Sequence, residues 1–261
     1  MPKQPTVARY LLEGHVRPRI EHAIKIGEVV RAAAMSKFGW ALDEQTGRQV
    51  PLAPWQISGR DGRNRPLRNP THTHAFWLPE DADRDGWIDH VTVFIADGMN
   101  EEIRERLGRV TRVWLTPRGG NRYSGDDSGV DEWRLAVDGF GRPEDFAGSS
   151  RLLDISRTWR SITPFLASGH LKKPGYPGEL VRVLRRRGIH TDGAKLRELA
   201  EIQVGGTGKR VADFRRFRSR GREPRRDSLG ALLEIEFAQA IQGPLALGYA
   251  SHFGLGMFGA V

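Results

Sequence analysis

Two histidines stand two residues apart in His72-Thr73-His74, at the head of the apolar run Ala75-Phe76-Trp77-Leu78-Pro79. On a strand, residues two apart share a face, so both imidazoles would point the same way. An imidazole titrates near neutrality, and two of them can divide the base and acid roles of phosphodiester cleavage. The same pair could hold a metal ion, or it is only the polar start of a strand. His22 is a third candidate. It falls in the first turn of an amphipathic stretch, where backbone amides favour a phosphate, and it fits a surface or packed position equally well. His15 is a similar case at the end of the first strand.

The chain ends in Gly248-Tyr249-Ala250-Ser251-His252-Phe253-Gly254-Leu255-Gly256. Glycine lets the backbone approach a ligand closely and adopt positive φ. Successive amides can then form an anion-binding concavity, with Tyr249 and His252 as added donors and stacking surface. A bulged strand with tight bends reads the same way. A fourth feature is Asp81-Ala82-Asp83-Arg84-Asp85-Gly86-Trp87-Ile88-Asp89. It matches the first nine positions of a calcium loop. Thr92 stands where the closing glutamate belongs, and strands rather than helices flank it. A tight acidic hairpin is the competing reading.

These residues need elements to hold them. Val7 to Val16 reads as a strand, and Pro18 suits the first turn of a helix. Ile20, Ala23, Ile24, Gly27, Val30 and Ala34 recur at helical spacing. Residues 43–70, rich in Gly, Pro, Arg and Asn, read as a long loop. Strands follow at His72 to Leu78 and Trp87 to Ala96, then a helix at Asn100 to Leu107 and a strand at Val110 to Leu115. The order β-α-β-β-α-β predicts a split βαβ, ferredoxin-like (RRM-like) unit over residues 1–116. Residues 117–150 read as a linker or elaboration, with one strand around Trp133 to Val137. A second, degenerate copy is expected over 151–261. Its elements are a strand at Thr158 to Leu166, helices at Gly178 to Arg187 and Gly193 to Val204, and strands at Asp213 to Arg218, Ala231 to Phe237 and Gly243 to Phe258. The fold class is α+β, with two tandem ferredoxin-like domains.

Charge points to the partner. The 261 residues carry a formal net charge of +9, and the sequence pI is near 10.3. Such a balance speaks of phosphate-bearing partners rather than of fold. Between Thr207 and Ser228 nine basic residues, Arg215, Arg216 and Arg218 among them, face three acids. Arg182, Arg185, Arg186 and Arg187 form a second cluster, with Lys172 and Lys173 nearby. Two clusters in one half favour a phosphate-binding face over a merely solvated surface. No apolar run approaches the roughly 18 residues of a membrane span. The start, Met1-Pro2-Lys3-Gln4-Pro5, lacks a signal-peptide core. With no cysteine, disulfides, zinc fingers and thiol chemistry are excluded. A cytoplasmic protein is expected.

Several blocks together resemble a known family. His72-x-His74-Ala75-Phe76-x-Leu78-Pro79, followed by Asp81-x-Asp83-x-Asp85-Gly86-x-Ile88-Asp89-His90, resembles the processing half of a fused subunit of type I-U (I-G) CRISPR systems. Trp159-Arg160-Ser161-Ile162-Thr163-Pro164-Phe165 is similar to that family's next strand. The glycine-rich end resembles the signature loop of CRISPR repeat-processing endoribonucleases of the RAMP superfamily. The resemblance implies two ferredoxin-like domains that cut repeats of precursor CRISPR RNA without a metal or other cofactor. The 2′-hydroxyl attacks the adjacent phosphate, leaving a 2′,3′-cyclic phosphate and a 5′-hydroxyl. The acid–base pair is then expected among His74, His72 and His22, with His74 first. Gly248, Tyr249, His252, Gly254, Gly256, Arg215, Arg216, Arg218, Lys172 and Lys173 would bind the repeat stem-loop. Other subunits of a type I effector complex are the expected protein partners. The alternative is a non-catalytic subunit that only holds CRISPR RNA. The fused family carries a backbone-type half ahead of this region, and the present sequence lacks it. That implies a stand-alone processor or one domain of a longer subunit.

Overall fold

The chain is described from a computed structural model, over residues 4–44, 47–61, 65–67, 73–115, 131–169, 171, 173, 175–218 and 229–261. β1 (Val7–Glu13) is buried along most of its length, as a central strand should be. A 3-10 turn at Ile20–His22 leads into α1 (Ala23–Ser36), which buries Ile24, Gly27, Val30 and Ala34. That stripe is the helical repeat read in the sequence. A small hairpin follows, β2 (Trp40–Asp43) and β3 (Arg48–Pro51), then the single turn α2 (Trp55–Ser58). β4 (Phe76–Glu80) and β5 (His90–Phe94) pair antiparallel across the Asp81–Asp89 connection. α3 (Glu101–Gly108) is set by its cap: Asn100 Oδ1 accepts from the Ile103 amide at 2.9 Å.

The next two strands correct the sequence reading. β6 (Arg112–Leu115) does not pair with β1. The neighbour of β1 is β7 (Asp131–Gly141), read from sequence as part of a linker, and β6 only adds an edge beyond it. The sheet order is β4-β5-β1-β7-β6. Trp133 and Leu135 of β7 are buried while Asp131, Glu132 and Arg134 are exposed. A strand with so few buried residues gives a weak period-2 signal.

A second antiparallel sheet has the order β13-β14-β8-β12-β9. Its members are β8 (Ile155–Ser161), β9 (Lys195–Leu199), β12 (Leu232–Gln242), β13 (Leu245–Ala246) and β14 (Met257–Ala260). α4 (Tyr176–Arg186) packs Leu180, Val183 and Leu184 against it. Two sequence expectations fail here. Residues 193–204 form β9 and one arm of a hairpin, β10 (Ile202–Val204) with β11 (Thr207–Lys209), rather than a helix. The open edge of β12 pairs with β9 over five residues, and strand pairing overrides the weak helical spacing of Leu196 and Leu199. Asp213 to Arg218 forms no strand, only the end of a 3-10 turn and irregular chain.

The result is a mixed α+β fold of antiparallel sheets with few helices. The main apolar cluster runs from the first sheet into the second, joining Tyr10, Trp77 and Leu135 to Leu152, Leu232 and Met257. Among the described residues no helix is long and apolar enough to cross a membrane.

Candidate nucleic-acid interface

The glycine-rich segment between β13 and β14 lies against α1. The contact is made at Gly27. A Cβ added there would fall 2.6 Å from the Phe253 carbonyl oxygen and 2.8 Å from that of Trp77. Only glycine lets the helix approach both at once. Gly256 has φ near +58°, and an added Cβ would lie 1.9 Å from the Leu247 carbonyl oxygen. These glycines are therefore explained by packing.

Several amides of the segment are committed. Those of Tyr249 and Gly256 donate to Leu166 and Pro164 carbonyls at 2.8 and 2.9 Å, and that of Phe253 to Ala250 at 2.9 Å. The expected amide cradle for phosphate therefore loses these three donors. Tyr249 packs half-buried against Ile24, Leu166 and Leu255. The loop's contribution lies in His252, Phe253 and Ser251 instead.

His252 is held between two rings. Its imidazole stacks on His74, with centroids 3.8 Å apart and planes 9° apart. It also stacks on Phe76, at 3.9 Å and 21°. Two near-parallel rings at such distances must occupy opposite faces of the third. The His252 Nδ1 lies 3.0 Å from the Ala75 carbonyl oxygen. A carbonyl only accepts, so Nδ1 carries the proton, and in the neutral ring Nε2 is the basic atom. His74 is half-buried and precedes β4 by two residues. It is positioned by this stack, in the bend that precedes β4. His72 lies outside the described residues.

One arginine lies against the stack and two against the adjacent Phe253 ring. Arg187, just past α4, places its guanidinium carbon 5.1 Å from the Phe76 ring centre, with Nη2 3.4 Å from Ser251 Oγ. Its Nε is buried without a hydrogen-bond partner. Arg31, one turn beyond Gly27 on α1, donates to the Ser58 carbonyl and lies 5.9 Å from the Phe253 ring centre. Arg218 lies over the same ring at 4.1 Å, and its Nε pairs with Glu28 Oε1 at 2.9 Å. Burial pulls Arg187 down to about 10. Burial, then the charges of Arg218 and Arg60, pulls Arg31 to about 10 as well. Both remain cations at neutral pH. Among the described residues no carboxylate lies within ion-pair distance of either. Glu28, which pairs with Arg218, also acts on Arg31 and opposes those charges, whereas among the described residues Arg187 has no such counter-charge. A partly buried cation of this kind against the ring stack makes a candidate anion site.

The remaining expected residues are dispersed. His22 is exposed at the start of α1. Partial burial, then the charge of Lys25, holds it below its ordinary value, with Glu21 opposing. Arg215 directs Nε to the Phe217 carbonyl at 3.2 Å, and Arg216 directs Nη1 to that of Leu229 at 2.9 Å. Lys173 is exposed in a turn. Lys172 lies outside the described residues. Of the α4 cluster, Arg182 pairs with Glu179 at 2.9 Å and Arg185 donates to Thr191 Oγ1 at 3.0 Å, Arg186 is exposed, and Arg187 lies against Phe76 and Ser251. Sequence reasoning missed Arg31. Its signal was an arginine at i+4 from Gly27 and i−3 from Ala34, inside the buried stripe of α1.

Comparison with known proteins adds little. No family model matches the chain, and no curated protein does. A solved structure described as "An RAMP protein binding different RNA substrates" is 11% identical, with 99% of this chain and 100% of that chain covered, at a TM-score of 0.40. A score that low carries no argument about this chain.

Proposed function

We propose that the protein is a metal-independent endoribonuclease that cleaves repeats of precursor CRISPR RNA, and that the stacked pair His74 and His252 is its acid–base centre. The observation that carries the reading is this stack, with the partly buried guanidinium of Arg187 against its Phe76 ring and that of Arg31 over the neighbouring Phe253 ring. The sequence resemblance supplies the substrate class. The sheet orders support two ferredoxin-like units. In the second, the glycine-rich segment stands where a second helix would be.

The chemistry follows from the geometry. One imidazole takes the proton of the 2′-hydroxyl as its oxygen forms a bond to phosphorus. The P–O5′ bond breaks, and the other imidazole gives a proton to the leaving 5′-oxygen. The products are a 2′,3′-cyclic phosphate and a 5′-hydroxyl. Like charges 3.8 Å apart repel, which disfavours protons on both rings at once. The singly protonated pair provides one base and one acid. His252 suits the base role, because Ala75 fixes its tautomer with Nε2 as the basic atom. Arg187 and Arg31 then meet the charge that builds on the phosphorane oxygens. Phe253, half-buried at the surface of the loop, offers a stacking surface for an unpaired base.

The test is His252→Ala beside the unmodified protein on a CRISPR repeat hairpin. Retained binding with lost cleavage supports the reading. If neither protein cleaves and both bind, the chain only holds CRISPR RNA.

A further inference from the structure

We infer that the Asp81–Asp89 loop binds a calcium ion through the carboxylates of Asp81, Asp83 and Asp85. One oxygen from each lies within 4.8 Å of the other two. Oxygens on opposite sides of a calcium ion, at its usual ligand distance, stand about 4.6–5.2 Å apart.

The second observation is Asp81 itself. The residue is 4% exposed, its Oδ2 accepts the Gly86 amide at 3.0 Å, and its Oδ1 is buried with no hydrogen-bond partner. The Gly86 bond turns the carboxylate into the loop that Asp83 and Asp85 close. A buried carboxylate oxygen without a donor is costly unless a cation meets it. Asp89, at the ninth position of the motif, fixes the loop instead of facing the ion. Its Oδ1 accepts the Ala82 amide at 2.9 Å and its Oδ2 the Asp83 amide at 3.3 Å. Arg151 acts on Asp81 from outside the loop and weakens the acidic field without cancelling it.

The ion would be structural. The loop holds the approach to α1, since Ile20 donates to the Gly86 carbonyl at 3.0 Å and Ile88 to that of Pro18 at 2.7 Å. It also seats the β10–β11 hairpin. A Cβ added at Gly205 would lie 2.3 Å from the Asp85 carbonyl oxygen. The site is independent of the histidine centre and of the cleavage proposed there.

Trp87 lies in the loop, so terbium seated there is close enough to be sensitised by tryptophan excitation. The full chain, stripped of metal, is titrated with Tb3+ and then with Ca2+. The expected result is sensitised emission that Ca2+ displaces, and a melting temperature that rises with Ca2+. In Asp83→Asn/Asp85→Asn both responses disappear. Both side chains are exposed, and asparagine keeps the acceptors that the Asp85 and Trp87 amides use, so the fold is retained. Absent emission, emission that Ca2+ does not displace, or responses that survive in the double variant overturn the inference.

Discussion

The imidazole of His252 stacks on that of His74 at 3.8 Å and 9° from parallel, joining the last loop of the chain to the lead-in of β4. Neither residue is placed by its own element. The loop is placed by the close approach at Gly27, and the ring by the Ala75 carbonyl. His252→Ala and His74→Ala are each expected to lower the single-turnover cleavage rate by about 10²–10⁴-fold, the usual worth of a positioned proton-transfer group. RNA affinity, read by filter binding, changes little. Equal loss of binding and cleavage would assign the pair to recognition.

Arg187 and Arg216 should behave differently, although both belong to basic clusters. Arg187 is partly buried beside Ser251 and the Phe76 ring, whereas Arg216 donates to the Leu229 main-chain carbonyl. Arg187→Ala is expected to cost about 10²–10³ in cleavage rate, as loss of a preorganised donor does. Arg216→Ala should leave the rate within a few-fold. The same single-turnover assay on both variants checks the contrast.

Gly256 is expected to tolerate no side chain. Its φ is near +58°, and a Cβ would overlap the Leu247 carbonyl oxygen. Gly256→Ala should destabilise by about 1–3 kcal/mol from the backbone conformation alone, and more from the clash. Thermal unfolding measures this. An unchanged melting temperature would mean that the loop has freedom to relax.

His22 gives a prediction in pH. Its folded-state value is held below 6.5, first by partial burial and then by Lys25. The unfolded chain therefore binds more protons in that window, and stability rises with pH up to about 6.5. As pH falls through the folded value the contribution is lost. Proton NMR should place the His22 midpoint below that of an exposed histidine, and Lys25→Ala should raise it. A midpoint at the ordinary value would contradict the local field.

Much of the first sheet was legible. The buried stripe of α1, the Asn100 cap and the apolar runs of β4 and β5 are strong local signals. β7 was legible only as a short strand around Trp133 to Val137, and its length and its place beside β1 were not, because only Trp133 and Leu135 anchor it amid exposed charges. β9 was not, because a neighbouring edge rather than its own residues makes it a strand. At the site, His74 and His252 were each visible as residues that could act, but in separate roles. Their meeting depends on how the second sheet lies against α1, which no local pattern encodes. Arg31 was hidden for a related reason: an arginine in an apolar stripe reads as a defect until its surroundings are known. The glycines were visible and were given too much chemistry. Their spacing reports close packing at Leu166, Leu247 and Pro79.

The central claim is metal-independent cleavage by internal attack, and end-group analysis in EDTA tests it most directly. A CRISPR repeat hairpin is incubated with the full chain, and the same RNA is prepared with a single 2′-deoxy nucleotide at the scissile position. The account predicts an upstream fragment ending in a 2′,3′-cyclic phosphate, a downstream fragment with a 5′-hydroxyl, and no cut in the deoxy RNA. Cleavage that needs added magnesium, or RNA that is bound yet stays intact with and without it, would contradict the account.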